Sequence, residues 1–269
     1  MRNLQDYPLI ATSDFTQVCQ FTCFQNNYGV LLYNRKSETA VAFDVPEAGP
    51  YLEALKVTGW KLTYILLTHH HHDHIGGVNE LVAQTGAKVV GHARSAQKLG
   101  FVDLALESGD CIDLNGLEAK AIGTPGHTLD SISWWVPDAN MVHTGDALFS
   151  LGCGRLFEGD GEMLWASLNQ LKREIPAETL VFCGHEYTEA NGRFALSVDS
   201  KNQTLLKRQQ DVLKLRANDK PTLPSTMAQE LATNPFLRVD QLDIRQSLDL
   251  VDASDADVFS KLRQMKDNF

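Results

Sequence analysis

Nothing in the 269 residues approaches the ~18 consecutive apolar positions that a membrane span requires. The opening segment "MRNLQDYPLI" has neither an apolar core of export-signal length nor a small-residue cleavage site, so no membrane or export role is expected. Basic charge is scarce as well. Lys and Arg total 24 against 34 Asp and Glu, a formal charge of −10. Such a field repels a phosphate backbone and argues against nucleic acid as a partner. A small anionic substrate would need a local cluster of Lys or Arg. Paired cysteines are also lacking. The five (Cys19, Cys23, Cys111, Cys153 and Cys183) are scattered and odd in number, so no disulfide framework is expected and a reducing cytoplasm fits. Cys19 and Cys23 lack the two-residue spacing of a redox or zinc pair and read as strand residues. No internal repeat or low-complexity tract is present.

What is there is an ordinary globular composition, 43% hydrophobic and 22% charged, enough to build a core without disulfides or a structural metal. Strand-like runs dominate the first two thirds. "YGVLLYN" and "AVAFDVP" flank the turn-prone "RKSET", and "KLTYILLT" reads as a buried strand running into a histidine cluster. "GGVNELVAQTG" has helical spacing and stops at Gly86, and "AKVVGHA" is a further strand. "GDCIDLNGLEAKAIGTPGHT" reads as a hairpin followed by a loop, and "SISWWVPDANMVHTGDALF" as two strands around the Pro137–Asn140 turn. "GEMLWASLNQLKREIP" is an amphipathic helix ended by Pro176, and "TLVFCGHEY" a strand ending at a histidine. Near Tyr187 the texture changes to apolar positions at three- and four-residue intervals, and Ser254 with Asp257 looks like a helix cap. The expectation is a mixed α and β domain over residues 1–186 followed by a small helical domain over 187–269.

The segment "ILLTHHHHDHIGG" holds five histidines and one aspartate in six positions, His69 to His74. Alternate residues of an extended chain face one side, so a strand ending at Thr68 lets His69 and His71 converge on one ion while His70 and His72 point elsewhere. Asp73 and His74 follow as the chain turns into a helix, on another face, where they could hold a second ion. Imidazole nitrogen and carboxylate oxygen suit borderline divalent metals such as zinc. Three later residues sit where loops assemble sites: His127 in "TPGHT", Asp146 in "HTGDALF" and His185 in "CGHEYT". His92 reads as a surface or loop residue, and His143 as a supporting or packing residue.

In this order and at these separations, "THHHHDHIGG", "GTPGHT", "HTGDALF" and "CGHEYT" resemble the metallo-β-lactamase fold, and within it the hydroxyacylglutathione hydrolase (glyoxalase II) family. "GCGRLFEGD" (152–160), "NPFLR" and "KLRQMKDNF" sharpen the match, which covers essentially the whole chain. The resemblance implies an α+β protein: an αββα sandwich, then a small C-terminal helical domain that closes over the substrate. It implies that His69, His71 and His127 hold one metal, that Asp73, His74 and His185 hold a second, and that Asp146 bridges them. Zinc comes first among the metals, with iron or manganese as alternatives.

The implied reaction is hydrolysis of S-(2-hydroxyacyl)glutathione, chiefly S-D-lactoylglutathione, to glutathione and D-lactate, the second step of methylglyoxal detoxification. A metal-bridging hydroxide attacks the thioester, with Asp73 and Asp146 assisting proton movement. Arg155 stands where the family uses a basic residue, Arg263 and Lys266 match its terminal basic pair, and Tyr187 matches a tyrosine that contacts glutathione. Phe157 replaces a position that is tyrosine in some relatives, and Asp130 and Ala147 also depart from commoner family residues. A cytoplasmic monomer is expected. The alternative is a glutathione persulfide dioxygenase, a mononuclear iron oxidoreductase of the same fold, which shares the ligand motifs but lacks "GCGRLFEG" and the helical extension. A β-lactamase or a nuclease of this fold fits less well, given the helical tail and the acidic balance.

Overall fold

Thr16–Cys23 (β2) and Asn27–Asn34 (β3) pair antiparallel along their full length, each almost wholly buried and rich in β-branched and aromatic residues. The structure, a computed structural model, describes residues 7–269. Its contacts divide into two units. The first comprises the described part of Met1–Gly123 together with Asp130–Gly145; the second comprises Thr124–Leu129 and Asp146–Phe269.

In the first unit, seven strands among the described residues form a sheet in chain order: β1 (Leu9–Ala11), β2, β3, β4 (Thr39–Phe43), β5 (Lys61–Leu66), β6 (Lys88–His92) and β7 (Leu104–Leu106). The first four pair antiparallel and the rest are parallel, which requires crossovers. Helix α1 (Ala48–Thr58) joins β4 to β5, the single turn α2 (His72–Ile75) with α3 (Val78–Thr85) joins β5 to β6, and α4 (Ala93–Lys98) lies between β6 and β7. The sequence reading passes over α1, whose opening "AGP" looks like a turn. Pro50 is tolerated because it sits in the first turn, where its missing N–H has no helical partner. The helix buries Ala48, Tyr51, Ala54 and Leu55 on the sheet, beside Val78 and Leu81 of α3.

The same unit holds four antiparallel strands, β8 (Cys111–Asp113), β9 (Glu118–Gly123), β10 (Ile132–Val136) and β11 (Met141–His143). The β8–β9 hairpin closes on Asn115 and Gly116, both left-handed, which is the backbone an Asn-Gly turn provides. Buried Trp134 of β10 donates its indole N–H to the Leu67 carbonyl at 2.9 Å, and His143 of β11 stacks on Phe43 of β4 with ring centres 5.2 Å apart.

In the second unit, β12 (Leu148–Phe149) pairs with β13 (Gly152–Cys153), and β14 (Leu180–Phe182) pairs with β15 (Ser225–Thr226). Helices α5 (Gly161–Glu174), α6 (Thr188–Val198), α7 (Gln203–Arg216), α8 (Met227–Thr233), α9 (Leu242–Ser247) and α10 (Asp255–Asp267) complete it. Their starts follow from local chemistry. Asp160, Asn202, Thr226 and Ser254 each accept an N–H of the first turn, and Thr226 with Gln229 forms a reciprocal box. Ser254 caps α10 onto Asp257 as the sequence suggests. Phe194 stacks on Phe236, Phe236 meets Phe259 edge-on and Trp165 lies tilted against Phe259, forming its aromatic core.

All five cysteines are free thiols, and only Cys111 is exposed. Burial pushes the Cys19 thiol up to about 12 and the Cys153 thiol up to about 11, and raises Cys183 as well. In the native protein near pH 8 a disulfide reagent should therefore titrate Cys111 alone, with the others reacting only after denaturation. A second fast-reacting thiol in the folded protein, or one persisting in Cys111→Ser, would contradict this packing.

Candidate metal centre

The β4–β5 register places Phe43 opposite Leu66, so both strands end side by side and their next residues leave the sheet together. This is the carboxyl edge of a parallel ladder, where open α/β sheets bind ligands. Asp44 follows β4 in a left-handed conformation, φ 52°, and is 2% exposed. Its carboxylate accepts from the Thr68 N–H at 2.7 Å, the Thr68 hydroxyl at 2.8 Å and His74 Nδ1 at 2.7 Å. A hydroxyl has one hydrogen, and Thr68 spends it on Asp44. The 3.0 Å contact between Thr68 Oγ1 and His69 Nδ1 is therefore a bond donated by the imidazole. With both Nδ1 atoms protonated, His69 and His74 present their Nε2 lone pairs.

These rings crowd together. His69 Nε2 lies 3.0 Å from His71 Nδ1, close to the ~3.3 Å that two imidazole nitrogens adopt on a tetrahedral zinc. The His69 and His74 ring centres are 4.2 Å apart, and Asp73 Oδ2 is 3.8 Å from His74 Nε2. Asn27, at the start of β3, donates to both the carbonyl and the carboxylate of Asp73 at 3.0 and 3.2 Å. Gly77 lets the turn sit against α1: a Cβ there would lie 2.3 Å from the Ala48 nitrogen. Histidine and aspartate side chains thus form a cluster whose donors suit a divalent metal.

Some details differ from expectation. β5 ends at Leu66 rather than Thr68, so His69–His71 lie outside the ladder, His71 in extended backbone. His72, Asp73 and His74 belong to a separate single turn, because Gly76 and Gly77 interrupt the path into α3. β14 ends at Phe182, three residues before His185, and β11 at His143, three before Asp146. His70 does point away from His69, toward Asp130, and His72 is exposed. His92 is not a surface residue. It is 8% exposed and caps α4 by accepting the Arg94 N–H at 3.0 Å, a role open to a histidine directly after a buried strand. His143 is fully buried against Phe43 and accepts the Gly145 N–H at 3.3 Å.

The second unit holds its own set. Asp146 Oδ2 lies 3.6 Å from His127 Nε2 and 3.3 Å from His185 Nε2, with all three residues buried. His127 donates Nδ1–H to the Arg155 carbonyl at 2.8 Å, which again leaves Nε2 as the lone-pair nitrogen. The "GCGR" segment makes this possible, since a Cβ on Gly154 would lie 1.9 Å from the Asp146 carbonyl oxygen. Tyr187 stacks on His185 with ring centres 4.7 Å apart, and exposed Phe157 sets its ring edge-on to His127 at 5.2 Å.

The basic residues gather here too, in unequal roles. Arg263 is 4% exposed; it donates to the Cys153 carbonyl at 2.8 Å and to Asp267 at 2.9 Å. Exposed Arg155 comes within 3.8 Å of the same Asp267. Half-buried Lys266 lies over the Phe194 and Phe269 rings. Desolvation, reinforced by Arg263, Arg193 and Arg155, holds its ammonium below the usual lysine range.

Sequence reasoning missed Asp44, Thr68 and Asn27. The available signal was an acid directly after the apolar run "AVAF", at the edge where parallel strands gather ligands.

Residues 35–185 match the metallo-beta-lactamase superfamily, and residues 186–269 match the family described as hydroxyacylglutathione hydrolase C-terminus. The chain is 46% identical over 253 residues to a hydroxyacylglutathione hydrolase of Jannaschia sp. (strain CCS1), covering 94% of this chain and 98% of that one. It is 45% identical over 250 residues to the enzyme of that name from Bartonella quintana (strain Toulouse), covering 93% and 98%. In fold it resembles the crystal structure of ETHE1 from Myxococcus xanthus, with TM-score 0.64 at 23% identity over 93% of this chain and 97% of that one. Among the described residues no helix is long and apolar enough to cross a membrane.

If Asp44 orients His74 and, through Thr68, His69, then Asp44→Asn should weaken retention of a divalent metal by roughly ten- to a hundred-fold, the usual cost of losing a group that orients a ligand. Competition with a chromophoric chelator measures it. Unchanged retention would refute the orienting role.

Proposed function

Because the chain belongs to the hydroxyacylglutathione hydrolases of the metallo-β-lactamase superfamily, we propose that it hydrolyses S-(2-hydroxyacyl)glutathione, with S-D-lactoylglutathione as principal substrate. The observation that carries this is the pairing of a buried His/Asp donor set with a cationic cluster in an otherwise acidic protein. In this reading His69, His71 and His127 would hold one ion, Asp73, His74 and His185 would hold another, and Asp146 would serve both. The donor chemistry fits: imidazoles locked with Nε2 outward, and carboxylates, are what zinc, iron or manganese accept, with zinc placed first. Bound there, two divalent ions supply a water acidified toward neutrality and positive charge for a developing oxyanion.

The chain's own residues do the rest. Asp44 and the Arg155 carbonyl keep His74 and His127 in one tautomer, so neither ring has to reorient during turnover. Asp146, with one oxygen 3.6 Å from His127 Nε2 and 3.3 Å from His185 Nε2, would share its charge between the two ions, and Asp73 and Asp146 would assist proton movement. A thiolate leaves with little protonation, since a free thiol has a pKa of ~8.5, so a thioester suits a site built around metals and carboxylates. Glutathione carries two carboxylates. Half-buried Lys266 and exposed Arg155 offer them a positive field, and Tyr187 and Phe157 add aromatic surface beside His185 and His127. The catalytic portion then runs to about residue 186 and the helical portion supplies the glutathione contacts.

Metal analysis beside a thioester-cleavage assay on one sample tests the reading. The expected result is one thiol released per lactoylglutathione consumed, abolished by chelator and restored by zinc. Oxygen uptake with glutathione persulfide, without thioesterase activity in metal-replete protein, would overturn it. Lys266→Met should raise KM about ten-fold and change kcat less than about two-fold, the pattern of lost uniform binding. Arg263→Ala should in addition lower Tm, because it removes a buried charged hydrogen bond worth on the order of 2 kcal/mol. An unchanged KM in Lys266→Met would remove this residue from the substrate site.

A further inference from the structure

The histidine run contains a regularity that the family roles do not use. β5 stops at Leu66 and the chain bends at Thr68, so residues 68–71 lie outside the ladder, with His71 in extended backbone. Thr68 is tied by its N–H and hydroxyl to the buried Asp44 carboxylate. Two residues on, His70 Nδ1 donates to Asp130 at 2.8 Å, and Asp130 is fully buried. The other Asp130 oxygen accepts from the hydroxyl of Ser95, a 1% exposed residue of α4, at 2.6 Å. A backbone bond from Ile132 N–H to the Thr68 carbonyl at 2.9 Å clamps the same two segments one step away. The exposed Lys98 ammonium lies 3.4 Å from His70 Nδ1 and 3.5 Å from its Nε2. Even positions 68 and 70 are anchored to buried acids, while odd positions 69 and 71 bring Nε2 and Nδ1 to within 3.0 Å of each other.

We propose that Asp130 is a positioning residue. By gripping His70 beside Ser95 it fixes the path of the His69–His71 segment, so that the two flanking imidazoles meet one ion. The proposal rests on the metal-centre reading above, and it gives a role to a position where this chain departs from commoner family residues. His70 is then a strut and not a ligand, and the choice of histidine reflects the donor it offers Asp130. A buried carboxylate needs such donors, and removing one partner frees the segment to rotate.

The test uses purified full-length protein and zinc alone, with affinity read by competition with a chromophoric chelator and stoichiometry by metal analysis. Asp130→Ala and His70→Ala should each weaken the tighter-bound zinc about ten-fold. Combined, they should be no worse than either alone, because both break one contact. His70→Asn, whose amide can donate to the same carboxylate, should recover most of the loss, and all variants should still bind two ions when saturated. Wild-type affinity in the single variants, losses that multiply in the double variant, or no recovery with asparagine would overturn the strut. A wild-type protein that takes up no zinc would overturn the metal-centre reading with it, whereas two ions in the wild type and unchanged variants would overturn the strut alone.

Discussion

A carboxylate buried at the end of a parallel strand cannot remain without donors, and the arrangement of the first unit depends on how Asp44 is satisfied. Two of its donors come from Thr68, which ends the next strand's path, and one from His74, in the turn beyond the histidine run. Hydrogen bonds to a charged acceptor contribute roughly 1.5–3 kcal/mol each, and losing one would leave the others holding an under-solvated charge. Strand register, the His69–His71 segment and the single turn α2 are therefore locked as one object. The tautomers of His69 and His74 follow from the same bonds.

The second unit solves a similar problem with its helices. The short β12–β13 hairpin turns through Leu151 at φ 59°, a backbone that needs outside support. Glu230, fully buried, accepts the Leu151 N–H at 2.9 Å and is itself held by Arg208 and Asn234. Asn234 also donates to the Phe149 and Gly152 carbonyls, Asn191 to Ser150 and Arg263 to Cys153. The hairpin so fixed runs from just after Asp146 to just before Gly154 and Arg155, so one polar lattice sets both a metal-ligand candidate and the carbonyl that orients His127. Arg263 belongs to this lattice as much as to any substrate site, which is why it is buried while Arg155 is exposed.

Charge tells the same story on a larger scale. A protein of net charge −10 brings Arg155 and Arg263 to one carboxylate, Asp267, and sets both of them with Arg193 around Lys266, a local concentration of positive charge in an acidic chain. Desolvation by burial, and after it the three arginines, holds the Lys266 ammonium below the usual lysine range.

Much of this was legible in the chain. Strand runs, the Asn115–Gly116 turn, the Ser254 cap and the donor types at 69, 71, 73, 74, 127, 146 and 185 follow from local periodicity, turn chemistry and metal preference, all properties of short segments. Local signals also missed α1 and misjudged His92 and the last residues of β5 and β14, because helix starts and strand ends are settled by what packs next to them. The supporting residues were out of reach for a different reason. Asp44 meets Thr68 and His74 across 24 and 30 residues, and Asp130 meets His70 across 60. No short-range pattern encodes such pairings. The sequence by itself determined which atoms could bind a metal; tertiary structure alone decided which nitrogen of each ring faces outward, because that depends on the partner that folding brings to the other one.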